Sequence, residues 1–288
     1  MPLAATYGSD KFGLSFEIFP PKTDKGDATL MAHVELLMAC KPDFVTCTYG
    51  AGGSTRQKTL EIISQLKQQY DVPVASHLTC VGSTVDQLRD YLSKAQQIGV
   101  DDIVALRGDP PRGEVAFQPP EDGLRYANEL VALIRAEFPD YGVAVAGYPE
   151  THQEAPSPEV DLENLKRKVD TGADVVITQL FYNNDDFFRF RDRCVAAGIL
   201  VPLVPGILPV NSLAQAKRVT SMCQASLPQS LVDRLERSDD HDWQYQVGVD
   251  FATQQVRELV AHGVPGIHFY VLNKSPATLA VLKAAEQI

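Results

Sequence analysis

The chain has 288 residues and 44% hydrophobic content, which is enough for one large core or two modest ones. Its formal net charge of −11 disfavours binding to nucleic acid or to an anionic membrane, and no stretch approaches the roughly 20 apolar residues that a membrane helix needs. Five cysteines without C-x-x-C spacing, and an amino terminus unlike a secretory signal, argue against a disulfide framework and predict a cytoplasmic protein.

Eight short runs rich in β-branched residues follow one another along the chain, separated by amphipathic stretches. The predicted strands cover residues 14–19, 44–48, 72–79, 102–106, 142–148, 174–180, 200–207 and 266–272. Apolar residues recur at helical spacing between them, and a glycine typical of a helix carboxyl terminus precedes several of the strands. Because no hairpin signal separates consecutive strands, the pattern predicts a parallel sheet.

Eight strand–helix units in a chain of this length predict an α/β fold, a (β/α)₈ TIM barrel. A doubly wound open sheet is the alternative. No linker divides the chain, so we expect residues 1–288 to form a single barrel domain. The segment 223–245 is the least regular part, and we expect it to be a surface excursion.

Polar side chains collect at the predicted carboxyl ends of the strands, where TIM-barrel enzymes carry their active sites. Glu17 lies close to the end of the first strand. The later strands end in the sequences TCTYGAGGSTR, SHLTC, LRGDPP, GYPETH, TQLFYNN, PGILPV and FYVLNK. The opposite ends carry few such residues, so this asymmetry predicts an enzyme.

Single residues of this set have a structural explanation as well as a functional one. Glu17 stands in an apolar run, either as a catalytic acid or as the partner of a buried ion pair. The RGD sequence at 107–109 could be a turn closed by its own ion pair, His77 a hydrogen-bonded barrel residue, and His152 part of a loop surface. The sequence YGAGGST is a weak phosphate-binding signal, and the histidines lack metal-ligand spacing, so no metal site is predicted.

One predicted helix, in PEVDLENLKRKVDTGAD, places three polar residues on a shared face. Asp161, Asn164 and Lys168 recur at i, i+3 and i+7, with Arg167 beside them. This face is either solvated, with internal ion pairs, or a surface for ribose and diphosphate, because Arg and Lys suit phosphate oxygens.

Taken together and in order, the motifs at the strand ends resemble the methylenetetrahydrofolate reductase family. They are SFEIFPPK, VTCTYGAGGSTR, SHLTC, IVALRGDPP, YPETHQEA, DLENLKRKVDTGAD, ITQLFY, RFRDRCVAAGI, PGILPV and HFYVLN, and they span residues 14–273. The resemblance implies an FAD-containing barrel that reduces 5,10-methylenetetrahydrofolate to 5-methyltetrahydrofolate for methionine synthesis. NADH or NADPH would pass a hydride to the flavin and leave before folate binds, a ping-pong order, and the protein would be a homo-oligomer.

The resemblance also assigns roles to individual residues. Glu17 would be the catalytic acid that assists opening of the folate's five-membered ring, in an apolar setting that keeps it protonated. Asp109 would be catalytic too, lying between flavin and folate. Substrate contacts would come from Thr48, Asp109, Gln179, Gln215 and Lys274. Flavin contacts would come from Thr48, Tyr49, Ala51, His77, Arg107, Gly108, Asp109, Tyr126, Ala127, Tyr148, His152, Ala155, Asp161, Asn164, Arg167 and Lys168.

Two positions depart from the family pattern. Lys274 stands where bacterial relatives carry arginine, so a bidentate contact to a carboxylate is not available there. Val219 stands where such relatives place an aromatic ring, so stacking on the substrates is not available either. Two other hypotheses stay open: a pterin-binding methyltransferase barrel without flavin, and a non-catalytic scaffold barrel.

Overall fold

The computed structural model describes residues 3–8, 11–49, 56–109 and 118–286. The strands are β1 (Gly13–Ile18), β2 (Phe44–Cys47), β3 (Val74–Thr79), β4 (Asp102–Leu106), β5 (Gly142–Gly147), β6 (Val175–Thr178), β7 (Leu203–Val204), β8 (Gly206–Ile207) and β9 (Gly266–Tyr270). The helices are α1 (Leu3–Thr6), α2 (Asp24–Met38), α3 (Arg56–Gln69), α4 (Val85–Gln97), α5 (Ala127–Glu137), α6 (Pro158–Asp170), α7 (Asn184–Ala196), α8 (Leu213–Cys223), α9 (Gln229–Leu235), α10 (His241–Ala261) and α11 (Pro276–Ala284).

All the strand pairs are parallel, and the sheet forms a nearly closed barrel. Strands β1 to β7 pair in chain order, and β1 also pairs with β9. The closure lies at residues 203–207, where β7 pairs with β6 and β8 pairs with β9. This confirms the predicted TIM barrel.

The structure differs from two sequence-based expectations about the last third of the chain. The predicted strand 200–207 is split into β7 and β8 by Pro205, which has no N–H to donate to a sheet. The segment 223–245 lies largely at the surface, as expected, but it is not irregular, because it contains α9 and the start of α10. Leu231 and Leu235 of α9 are fully buried, so this short helix belongs to the packed part of the protein.

The core has an inner and an outer layer, separated by the sheet. The outer layer lies between the strands and the helices and includes Phe16 and Ile18 of β1. The inner layer fills the barrel with apolar side chains from β2 to β7. Leu3 of α1 and Tyr7, which follows that helix, add to it at the amino-terminal end of the strands. Because side chains alternate along a strand, Ser15 and Glu17 face the barrel interior.

Three aspartates repeat one contact at the amino-terminal end of the barrel. Asp43, Asp101 and Asp174 each precede an even-numbered strand and accept a hydrogen bond of 2.7–2.9 Å from a backbone N–H of the neighbouring odd-numbered strand. Each also pairs with a lysine or arginine. These contacts hold neighbouring strands together at the amino-terminal end of the barrel, which in this fold contributes to stability and not to catalysis.

Candidate active site

The carboxyl group of Glu17 lies among imidazole rings in the barrel interior. Its Oε2 is 3.3 Å from Nε2 of His77 on β3 and 3.8 Å from Nε2 of His268 on β9. The expected apolar setting is wrong, because Phe16 and Ile18 point to the outer layer on the other face of β1. The Glu17 side chain is 20% exposed, so it is accessible from the barrel mouth.

His77 is a neutral partner for this carboxyl group. Burial lowers the pKa of His77, while the charge of Glu17 acts in the opposite direction and His268 adds to the lowering. A neutral imidazole carries one N–H and one acceptor nitrogen, so the ring can exchange a hydrogen bond with the carboxyl group without a permanent ion pair. His77 therefore lies in the site itself, with its Nε2 3.3 Å from the Glu17 carboxyl group.

A buried hydrogen-bond chain continues from His268 towards the floor of the barrel. Nδ1 of His268 is 2.8 Å from Oγ of Ser15, and that oxygen is 3.0 Å from the hydroxyl of Tyr7, the residue after α1. Ser15, His268 and Tyr7 are at most 3% exposed. Sequence reasoning missed all three residues. The only available signal was the alternation in GIHFY and LSFEIF, which does not say which face of a strand is the inner one.

A second part of the site is a cavity of about 460 Å³ beside the carboxyl ends of β4 and β5. Its walls include ten of the predicted flavin-contact residues: Arg107, Tyr126, Ala127, Tyr148, His152, Ala155, Asp161, Asn164, Arg167 and Lys168. The cavity also contains residues that sequence reasoning missed, among them Asn128 and Glu154. Side chains from two βα segments, β4–α5 and β5–α6, therefore meet at one concave surface.

Helix α6 supplies the polar wall of this cavity. The hydroxyl of Ser157 caps the helix by accepting a hydrogen bond from the Val160 N–H, and Pro158 occupies its first turn. This start sets the rotation of the helix, so that Asp161, Asn164 and Lys168 all line the cavity, as their spacing predicts.

Lys168 is the most perturbed of these groups. Burial lowers its pKa to about 8, with Asp161 acting in the opposite direction. Its Nζ donates a 2.5 Å hydrogen bond to the carbonyl of Ala146 and lies 6.0 Å from the centre of the Tyr148 ring. An amine held in this way would gain from a bound anion, because a negative charge offsets the cost of its burial. Lys168 is therefore not part of a purely solvated helix face.

Arg107 of the RGD sequence forms one edge of the cavity. Arg107 makes a bidentate pair with Glu154 in the next βα loop, at 2.5 and 2.6 Å, and this hydrogen bonding raises the pKa of Arg107 above its ordinary value. Gly108 has a φ of +88°, and a Cβ there would lie 2.6 Å from a methyl carbon of Val81, so only glycine fits. Asp109 follows on the exposed side.

The loop after β5 is held against this wall. The rings of Tyr148 and His152 meet edge to face with centres 4.6 Å apart, and burial raises the pKa of Tyr148. The backbone N–H of His152 donates to Asp161 Oδ2 over 3.0 Å, and its Nδ1 accepts from the Glu154 N–H over 3.1 Å. His152 is therefore a fixed part of the cavity and not free loop surface.

Comparison with known proteins identifies the family of this barrel. The family model described as methylenetetrahydrofolate reductase matches residues 3–286. This chain belongs to the methylenetetrahydrofolate reductase family. The 5,10-methylenetetrahydrofolate reductase of Escherichia coli strain K12 is 41% identical over 272 residues, which is 94% of this chain and 90% of that protein.

Plant and structural relatives extend this comparison. Methylenetetrahydrofolate reductase (NADH) 1 of Arabidopsis thaliana is 38% identical over 93% of this chain, which spans only 47% of that protein. The fold is similar to a Clostridium thermocellum protein whose structure binds two copies of 5-methyl-5,6,7,8-tetrahydrofolic acid, with a TM-score of 0.64, 14% identity, and coverage of 100% of this chain and 99% of that one. At this identity the structural likeness supports the barrel fold alone.

Other positions predicted from the reductase family lie around the mouth with mixed accessibility. Thr48 is half-buried just past β2, where its N–H donates to the Ile18 carbonyl over 2.9 Å. Tyr49 is only 6% exposed, because its ring packs edge-on against Tyr91, which leaves little side chain for a ligand. Ala51 lies outside the described residues.

The predicted substrate contacts are Gln179, Gln215 and Lys274. The two glutamine side chains already make hydrogen bonds within the protein, whereas Lys274 is exposed. The Gln179 side chain accepts a 2.8 Å hydrogen bond from the Leu180 N–H at the end of β6. Gln215 accepts a 2.7 Å bond from the Asn211 N–H, so its carboxamide oxygen already helps to cap α8. Lys274 is exposed in the loop after β9.

Among the residues of the described ranges, no group of three or more His, Cys, Asp or Glu side chains is placed to hold a metal ion. None of their helices is both long and apolar enough to cross a membrane.

Proposed function

We propose that this protein reduces 5,10-methylenetetrahydrofolate to 5-methyltetrahydrofolate, with FAD as its cofactor and a reduced nicotinamide as the hydride donor. The observation that carries the proposal is the position of Glu17, with its carboxyl group between two imidazoles, in the same barrel mouth as a cavity lined by ten of the family's flavin-contact positions. The family membership of the chain supports the same reaction. The product would supply methyl groups for methionine synthesis in the cytoplasm.

The residues of the cavity fit the parts of FAD. Lys168 and Arg167 offer cationic groups to a diphosphate, and Asp161 and Asn164 offer acceptors and donors to ribose hydroxyls. FAD, when bound, supplies hydride chemistry by accepting a hydride from the nicotinamide and giving it to folate in a later, separate binding event. Asp109, two residues beyond the cavity-lining Arg107, would place a negative charge near that group.

The proposed task of Glu17 is to deliver a proton to the folate. Opening of the imidazolidine ring needs a proton on the departing ring nitrogen and leaves an electrophilic iminium at N5. The Glu17 carboxyl group is open to the mouth, and His77 and His268 can each present Nε2 to the same oxygen. A carboxyl group with hydrogen-bonding partners close by can lose and regain a proton, because a donor beside it stabilises its ionised form and an acceptor its protonated form.

Anaerobic titration of the purified protein tests this function. The protein reconstituted with FAD should be yellow, should bleach on addition of NADH or NADPH, and should regain its colour when 5,10-methylenetetrahydrofolate is added, with 5-methyltetrahydrofolate as the product. Parallel titrations with NADH and NADPH identify the preferred donor; the plant relatives carry NADH in their names. A protein that cannot be reconstituted with FAD would overturn the proposal and favour a flavin-free folate enzyme.

A further inference from the structure

We propose that Tyr7, on the floor of the barrel, is a positioning residue that sets the tautomer of His268 and thereby presents an N–H to Glu17. The inference rests on the proposed function for its consequence in catalysis, but the tautomer itself is a property of the protein alone. Tyr7 directly follows the amino-terminal helix α1 and is not among the residues that the family resemblance assigns.

The floor of the barrel is shaped around the Tyr7 ring. Glycines stand at the first positions of β1 and β9, where a Cβ on Gly13 would lie 2.5 Å from Tyr7 ring carbons and one on Gly266 would lie 2.7 Å from them. Phe44 packs edge-on against the same ring, with 5.9 Å between the ring centres. The phenol is 3% exposed, so its hydroxyl is directed into the barrel and away from water.

The direction of the hydrogen bonds follows from what a buried phenol needs. A buried hydroxyl hydrogen without an acceptor is costly, and among the described residues the partner of the Tyr7 hydroxyl is Ser15 Oγ, 3.0 Å away. Tyr7 therefore donates to Ser15. The hydroxyl of Ser15 is then free to donate its own hydrogen to Nδ1 of His268, 2.8 Å away.

This direction fixes the protonation pattern of the imidazole. Nδ1 of His268 accepts from Ser15, so the proton of the neutral ring resides on Nε2. Nε2 is the nitrogen that faces Glu17 Oε2, at 3.8 Å. Phe44 stacked on one side and Tyr270 edge-on at 5.2 Å keep the ring from turning to exchange its nitrogens. Without the Tyr7 hydroxyl, Ser15 could instead accept from Nδ1–H, and an unprotonated nitrogen would then face Glu17.

Nitrogen NMR of the full chain labelled with ¹⁵N-histidine tests the proposal without any cofactor or substrate. The His268 signals are assigned with a His268→Asn variant. The unaltered protein should show His268 as the Nε2–H tautomer alone. Tyr7→Phe should give a mixture of tautomers, with the two nitrogen shifts moving towards each other, and Ser15→Ala should do the same if Tyr7→Phe folds poorly. Tyr141→Phe, which removes a buried hydroxyl bonded to the Leu92 carbonyl outside the barrel, is the matched control and should leave the tautomer unchanged.

Half-reaction kinetics of the FAD-loaded protein give the second readout. Tyr7→Phe should slow reoxidation of the flavin by folate about tenfold and leave its reduction by the nicotinamide unchanged. An Nδ1–H tautomer in the unaltered protein, or an unchanged tautomer in both variants, would overturn the inference. Failure to bind FAD would overturn the proposed function and leave the tautomer result standing.

Discussion

Glu17 on β1 and His77 on β3 meet across the inner face of the barrel, with 3.3 Å between Oε2 and Nε2. Residues of β2 lie between the two strands in the sheet, so the contact spans the strand that separates them. Burial lowers the pKa of His77 and so favours its neutral ring, which argues against a permanent ion pair. Its chemistry depends on which of the two groups carries the proton.

The lowered pKa of His77 predicts acid sensitivity of the fold. Above about pH 6.5 an ordinary histidine is neutral, so His77 contributes nothing to the pH dependence there. As the pH falls below that value, the unfolded chain takes up a proton that the folded protein resists, and the free energy of unfolding decreases. Denaturant unfolding at pH 7.5 and 5.5 should show that His77→Gln loses less unfolding free energy between the two pH values than the unaltered protein does. His241→Gln, at an exposed position, is the control, and equal losses in the two variants would contradict the prediction.

The pKa of Lys168 predicts pH-dependent FAD binding. The amine has a pKa of about 8 in the free protein, and a bound diphosphate would favour its charged form. Above pH 8 binding must therefore take up a proton, so the dissociation constant should rise by up to about tenfold per pH unit. Lys168→Arg should bind without this slope, since arginine stays charged, and Lys168→Met should bind weakly at every pH. Fluorescence titration between pH 7 and 10 measures the slope, and identical slopes for lysine and arginine would refute the assignment.

The Asn273 side chain links the loop after β9 to the loop after β1, and this link should contribute to the free energy of unfolding. Its side chain accepts from the Phe19 N–H over 2.9 Å and donates to the Phe19 carbonyl over 2.8 Å, while its own φ is +56°. Asn273→Gly should lose about 1 kcal/mol of unfolding free energy with the hydrogen bonds. Asn273→Ala should lose about 1 kcal/mol more, because alanine tolerates this φ poorly. Denaturant unfolding of both variants separates the contribution of the hydrogen bonds from that of the backbone conformation. An alanine variant as stable as the glycine variant would show that the backbone conformation is not under strain.

Much of the site was predictable because it depends on local patterns. The strand ends follow from alternation and helix-ending glycines, and the shared face of Asp161, Asn164 and Lys168 follows from helical periodicity. The interruption at Pro205 was also readable in principle, because proline within a strand pattern signals a break.

The setting of Glu17 was not predictable, because it depends on barrel closure. Alternation shows that Ser15 and Glu17 share a face, but it does not say what lies opposite them. The register that sets Glu17 beside Tyr270 joins strands from opposite ends of the chain, and it brings His268 to Ser15 across 253 residues. For the same reason, the pairing of Arg107 with Glu154 and the contact from Tyr7 appear only in three dimensions.

The central claim is that Glu17 delivers the proton for folate reduction, and anaerobic stopped-flow comparison with Glu17→Gln tests it most directly. Flavin reduction by the nicotinamide should proceed at a similar rate in both proteins. Reoxidation by 5,10-methylenetetrahydrofolate should slow by about 10²- to 10⁴-fold in the variant, the usual contribution of a general acid. Glu61→Gln, at an exposed glutamate on α3, should change neither step. Reoxidation of Glu17→Gln at the unaltered rate would contradict the role of Glu17.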